Sequence, residues 1–186
     1  IRALIPDLTD EEMSNIDVGH YPQDAFFEDL ARVSRYRADP ELLSVLVDQA
    51  YPTMQWLRER GVRFGLARGR QAFQVDGVFR FWGNAPVEVV GGGVGLVDSL
   101  FAAAEAMGVE IWYDTRARNL LKGADGQVEG VEVSREGQPM TLKARAVVLA
   151  CGGFEANPEM RARYLGPGWD LALGRGTEYN TGDGIR

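Results

Sequence analysis

The sequence predicts an α/β fold organised around a mixed sheet, and three observations predict it. The order along the chain is helices, a hairpin, then strand–helix–strand–meander–strand, a mixture that requires helices to pack on a sheet. Met140 to Arg145 alternates apolar and charged residues, and Ala146-Val147-Val148-Leu149-Ala150 then runs apolar without a break. That change is expected of a strand with one wet face followed by one entering a sheet covered on both faces. Finally, glycines cluster after strand patterns, at Gly91-Gly92-Gly93 and at Gly152-Gly153, where the backbone must turn or approach a neighbour closely.

Ile1 to Pro22 carries no clear element pattern. Asp24 to Tyr36 reads as a helix, because Phe26, Leu30 and Val33 recur at helical spacing. A longer helix opens at Asp39-Pro40-Glu41, with Asp39 as N-cap and Pro40 in the first turn, where its missing N–H costs nothing. Its apolar stripe is Leu43, Leu46, Val47, Ala50, Met54 and Leu57, Gly61 caps its end, and Pro52 is expected to kink or split it. Val62 to Leu66 predicts a short strand. Phe73 to Trp82 predicts a hairpin about Asp76-Gly77. Val87 to Val90 leads into the glycine run and a helix with Val97, Leu100, Phe101 and Ala104 on one face, ended by Gly108. Strands are then expected at Val109 to Tyr113, Arg118 to Leu121, Val128 to Ser134, Met140 to Arg145 and Ala146 to Ala150. Asn157-Pro158-Glu159 opens a short helix.

Composition narrows the function. The chain has 186 residues, 45% hydrophobic and 25% charged, with a formal net charge of -7. The acidic excess disfavours a nucleic-acid partner, although local arginines still permit an anionic small substrate. One Cys and one His exclude an internal disulfide framework and make a His/Cys metal site a poor expectation. No apolar run approaches the roughly 20 residues of a membrane span. The start at Ile1 has neither an initiator Met nor the apolar core of a signal peptide, so the chain reads as an internal piece of a longer, cytoplasmic protein.

Three motifs could carry chemistry. Gly91 and Gly93 fit a dinucleotide fingerprint, with Asp114 at the distance of a ribose-binding acid. Leu96, however, stands where that motif wants Gly or Ala, and a plain strand–helix turn or another anion contact explains the run as well. Ala150-Cys151-Gly152-Gly153-Phe154 is a strand end that either faces a ligand or makes a tight turn. Cys151 as a nucleophile would need a base, and the one His, His20, sits in the weakly patterned lead-in. Thr177 to Gly184 ends in Gly182-Asp183-Gly184, a sharp loop whose Asp can accept hydrogen bonds from hydroxyls.

Taken together, Leu149 to Asn157 and Asn180-Thr181-Gly182-Asp183-Gly184-Ile185 resemble the flavoproteins of the fumarate reductase/succinate dehydrogenase family. Gly91-Gly92-Gly93, Gly108-Val109-Glu110-Ile111 and Thr115-Arg116-Ala117 follow in the same order, and Asp39 to Gly65 resembles the tricarballylate dehydrogenase branch. The resemblance implies part of a FAD/NAD(P)-binding, glutathione-reductase-like mixed sheet with flanking helices and a β-meander. It also implies that the first dinucleotide-binding strand and its G-x-G-x-x-G turn lie upstream of Ile1. It divides the chain into a helical lead-in (1–60), a hairpin, turn and helix (61–108) and a stretch of sheet strands and cofactor loops (109–186).

By the same resemblance the cofactor is FAD, approached by the backbone at Ala117, by Ala150, Cys151, Gly152 and Gly153, and by the loop carrying Asp183. Asp114 is demoted. The substrate is a small di- or tricarboxylate such as tricarballylate, succinate or fumarate. The catalytic His and Arg residues lie beyond Asp183, outside this chain, and Arg175 is the best local substrate-side arginine. The chain alone is expected to be inactive and, with a sheet edge uncovered, to self-associate. The rival expectation is a non-enzymatic ligand- or partner-binding α/β domain.

Overall fold

The computed structural model describes residues 1–84 and 86–185. The chain divides into two compact units, Ile1–Ile111 and Trp112–Arg186.

In the first unit, α1 (Asp10–Ser14) is followed by β1 (Ile16–Asp17), α2 (Gln23–Val33) and α3 (Pro40–Glu59). Then come β2 (Phe64–Leu66), α4 (Arg68–Gln71), β3 (Ala72–Val75), β4 (Val78–Phe81), β5 (Val87–Val89) and α5 (Gly92–Ala106). The N-terminal stretch is better built than its sequence suggests. Thr9 and Glu12 form a reciprocal capping box on α1, and Leu4, Ile5 and Leu8 join Val62 and Phe64 in the core. Asp39 caps α3 by accepting from the backbone N–H groups of Glu41 and Leu42 at 2.8 and 3.3 Å. Pro52 does not split α3. A proline removes one backbone donor, and at this exposed position water can satisfy the carbonyl one turn back.

The core-facing stripe of α3 is Leu43, Val47, Ala50, Met54 and Leu57, all buried or half-buried. Leu46 lies outside it and is 51% exposed. The end of α3 is a Schellman motif. Gly61 N–H donates to the Arg58 carbonyl at 3.0 Å and Val62 N–H to the Leu57 carbonyl at 3.1 Å, with Gly61 at φ +92°. This turn places Val62, 1% exposed, in the centre of the core.

The expected hairpin pairs β3 with β4 in register from Ala72↔Phe81 to Val75↔Val78. Asp76 and Gly77, at φ 51° and 82°, form the two-residue turn that matches strand twist. Strand β1 adds to β4 in parallel, so this small sheet is mixed. Strand β5 pairs antiparallel with β2. The inner face of α5 is rotated from the expected one: Leu96 and Leu100 pack on the core, while Val97 and Phe101 are exposed. Alpha5 is apolar on most sides, so periodicity alone could not orient it.

In the second unit, β6 (Thr115–Lys122), β7 (Val128–Arg135) and β8 (Gln138–Lys143) form an antiparallel meander, with a bulge between Ala117 and Asn119. Helix α6 (Pro158–Leu165) follows. Two expected strands are corrected. Neither Val109 to Tyr113 nor Ala146 to Ala150 forms a ladder, and Val148 is 88% exposed. An apolar run predicts a strand only where a neighbour supplies the ladder, and no described strand pairs with either segment.

The Schellman turn gives a direct test. Gly61→Val should cost about 1–2 kcal/mol, because a branched residue is strained at positive φ. Gly69→Ala should be neutral or stabilising by up to about 1 kcal/mol, since its Cβ would meet nothing within 4 Å at a normal φ. Chemical denaturation of the two variants checks this ordering.

Candidate functional site

The second unit joins the two motifs that the sequence singled out. Gly182 N–H donates to the Gly153 carbonyl at 3.0 Å, and Ala156 N–H donates to the Asn180 carbonyl at 3.0 Å. The strand-end turn and the Gly-Asp-Gly loop are thus stitched together through backbone.

Asn157 works on both sides of this junction. Its Oδ1 accepts from Met160 N–H at 3.1 Å, capping α6, and its Nδ2 donates to the Thr181 carbonyl at 2.9 Å. Asn180 Nδ2 donates to Glu155 Oε1 at 2.5 Å. That amide, followed by a backbone N–H bond at Glu155 itself, holds the Glu155 carboxyl below its ordinary range.

Two glycines make the fit sterically necessary. A Cβ at Gly182, φ +82°, would lie 2.4 Å from Met160 Sδ and 3.0 Å from Phe154 Cβ. One at Gly152, φ +74°, would lie 2.7 Å from Asn180 Oδ1.

Beside the junction, Phe154, Leu165, Trp169, Leu173 and Ile185 line an apolar cavity of about 430 Å³, with Arg161 in its wall. Arg161 is 8% exposed. Its Nε donates to the Trp169 carbonyl at 2.9 Å, its Nη2 to the Asp170 and Ala172 carbonyls at 3.2 and 2.9 Å, and its Nη1 to the Glu155 carbonyl. All three nitrogens are committed to backbone, so this guanidinium is a structural post and not a carboxylate clamp.

Of the sequence-predicted residues, Ala150, Cys151 and Gly152 are exposed, and Gly153 forms part of the cavity wall. Asp183 is exposed, and its Oδ2 accepts from Thr181 Oγ1 at 2.9 Å. Ala117 lies instead on β6, opposite Val133, and takes no part in these contacts. Arg175 sits in an exposed loop, outside the cavity lining. The sequence marks Asn157 only as the start of a short helix, and gives no site role to Glu155 or Arg161.

The Gly91 turn behaves as a helix entry. A Cβ at Gly95 would lie 2.1 Å from the Val90 carbonyl oxygen, so the close strand–helix approach falls at Gly95, not at Leu96. Strand β5 runs antiparallel to β2, which is not the parallel unit a dinucleotide fingerprint needs. Among the described residues no group of His, Cys, Asp and Glu could hold a metal ion, and no helix is long and apolar enough to cross a membrane.

Residues 13–186 match the family model described as "FAD binding domain". The chain is 41% identical over 96 residues to a 3-oxosteroid 1-dehydrogenase of Comamonas testosteroni, covering 51% of this chain and 17% of that protein. It is 31% identical to a urocanate reductase of Eggerthella lenta, covering 74% of this chain and 22% of that protein. It superposes on the open conformation of a flavocytochrome c3 fumarate reductase with a TM-score of 0.67 at 27% identity, over 89% of this chain and 28% of that one. The chain therefore spans less than a third of the length of each of these proteins.

Two outcomes follow from the junction. Gly182→Ala should destabilise the second unit by about 1–3 kcal/mol, from positive φ and overpacking together, read by hydrogen exchange across 152–184. The Glu155 carboxyl is depressed, so its bond to Asn180 contributes stability that is complete above the ordinary glutamate pKa of about 4.3 and lost as the pH falls through the lowered value. The melting-temperature gap between the wild type and Asn180→Ala should accordingly narrow on acidification through that window; a gap independent of pH would contradict the assignment.

Proposed function

Because the chain belongs to the FAD binding domain family, whose similar proteins here are flavoenzyme oxidoreductases, we propose that these residues hold FAD in an enzyme acting on a CH–CH group beside a carboxylate. The substrate in this reading is a small di- or tricarboxylate of the tricarballylate, succinate or fumarate kind. The observation that carries it is the stitching of Gly153 to Gly182, which unites the two motifs of the flavoprotein resemblance in one surface.

That surface fits a dinucleotide. The backbone from Ala150 to Gly152 is exposed, with the Asn180 side chain lying against Gly152, and the Asp183 carboxylate is exposed on the adjoining loop. In this reading the Cys151–Gly153 backbone approaches the dinucleotide, Asp183 accepts from its hydroxyls, and the Ala117 backbone meets the adenine end. FAD, when bound, supplies the hydride chemistry. The protein's task is to orient and to exclude water, with carboxylate recognition assigned to guanidinium groups. Arg161 is a poor candidate, since it is buried and each of its three nitrogens already donates to backbone carbonyls; Arg175, in the exposed loop, remains the local choice. Exposed Val148 and Leu149 support the expected self-association of the chain.

A second reading is favoured by two observations. The 41% identity is to a 3-oxosteroid 1-dehydrogenase, and the cavity beside the junction is apolar, which suits an uncharged ring substrate. Anaerobic addition of tricarballylate or succinate to the full-length protein should bleach the flavin band. Bleaching by a 3-oxosteroid alone would replace the carboxylate reading with the second. In the same protein Asp183→Ala should weaken FAD retention about tenfold, the loss of one hydrogen bond to a charged group; unchanged flavin stoichiometry would remove Asp183 from the site.

A further inference from the structure

We infer that Arg161 is a positioning residue for the cofactor: its guanidinium sets the path of loop 166–176 so that the Asn180–Gly184 segment returns to the Gly152-Gly153 turn. The inference rests on the FAD reading above. Four carbonyls converge on this one group, one from Glu155 just after the glycine turn and three from Trp169, Asp170 and Ala172. Those residues stand on either side of α6, so the guanidinium fixes the distance between the turn and the outgoing loop.

Apart from the contact of its Trp169–Leu171 turn with α6, that loop is open. Gly166 and Gly168 adopt positive φ, Leu171 is 80% and Leu173 is 96% exposed, and its internal backbone bonds are local, such as Leu171 N–H to the Gly168 carbonyl at 3.2 Å. A glycine-rich segment with few contacts has much conformational freedom to lose, and the buried cation removes that freedom before any ligand arrives. Only a planar fork with five donors can reach carbonyls in several directions; an ammonium has three donors at a single point. Arg161→Lys is therefore not conservative here. It keeps the charge and releases the loop, so the cost of ordering the loop would fall on FAD binding.

The test uses the full-length protein stripped of flavin, with FAD titrated by fluorescence quenching into wild type, Arg161→Lys and Arg161→Ala. Both variants should melt cooperatively, show faster hydrogen exchange across 166–184, and bind FAD about tenfold to a hundredfold more weakly. Added methylguanidinium should restore FAD affinity in Arg161→Ala, and methylammonium should not. Wild-type FAD affinity in Arg161→Lys, equal rescue by the two cations, or no rescue at all would overturn the inference while leaving the FAD reading intact. Loss of cooperative melting in both variants would assign Arg161 to general folding and overturn it too. A wild type that takes up no FAD would instead overturn the FAD reading, and this inference with it.

Discussion

The second unit depends on one constraint: a glycine-rich loop full of backbone carbonyls must close onto a glycine turn without leaving those carbonyls unpaired. Buried backbone acceptors without partners are costly. The chain meets this requirement with a single buried guanidinium from α6, which donates to the carbonyls of Glu155, Trp169, Asp170 and Ala172 together. Once those are satisfied, the Gly182-to-Gly153 backbone bond and the two contacts of Asn157 complete the junction. A cation in this place also explains why the cavity beside it is lined by aromatic and aliphatic groups and still contains a charge.

The first unit solves a different problem, the packing of helices with a three-stranded and a two-stranded sheet, whose small core gathers Leu4, Ile5, Leu8, Val62 and Phe64. Here glycine ends α3 and turns Val62 inward, and Gly95 lets α5 approach the end of β5. The same residue type therefore serves helix termination, close packing and, in the second unit, loop closure. Only the last of these bears on the proposed cofactor. A glycine run is for this reason weak evidence of phosphate binding until its strand partners are known, and the antiparallel pairing of β5 with β2 is what separates the Gly91 turn from a dinucleotide fingerprint.

Much of this was legible in the sequence wherever the signal is local. The Asp39 and Asn157 caps, the Asp76-Gly77 hairpin and the meander appear where spacing and turn chemistry placed them. The α/β class follows from the element order, FAD is implied by the family resemblance, and both agree with the family match. What was not legible is non-local. Leu4 and Ile5 look like an unpatterned lead-in until the core they cover is known. Val109 to Tyr113 and Ala146 to Ala150 have strand composition but no described ladder partner. The orientation of α5 was hidden by its near-uniform apolarity, and Arg161 by the fact that carbonyl satisfaction leaves no mark on side-chain pattern.

In the proposed function the united surface of the Gly152-Gly153 turn and the Asp183 loop holds FAD. The visible absorption spectrum of the full-length protein, recorded as purified and again after incubation with FAD and removal of the excess, tests it most directly. A protein-bound flavin band that is red-shifted or structured relative to free FAD is expected, with about one flavin per chain, as one site per dinucleotide-binding fold requires. A folded protein that remains colourless after incubation would contradict it, and the glycine turns would then be features of packing alone.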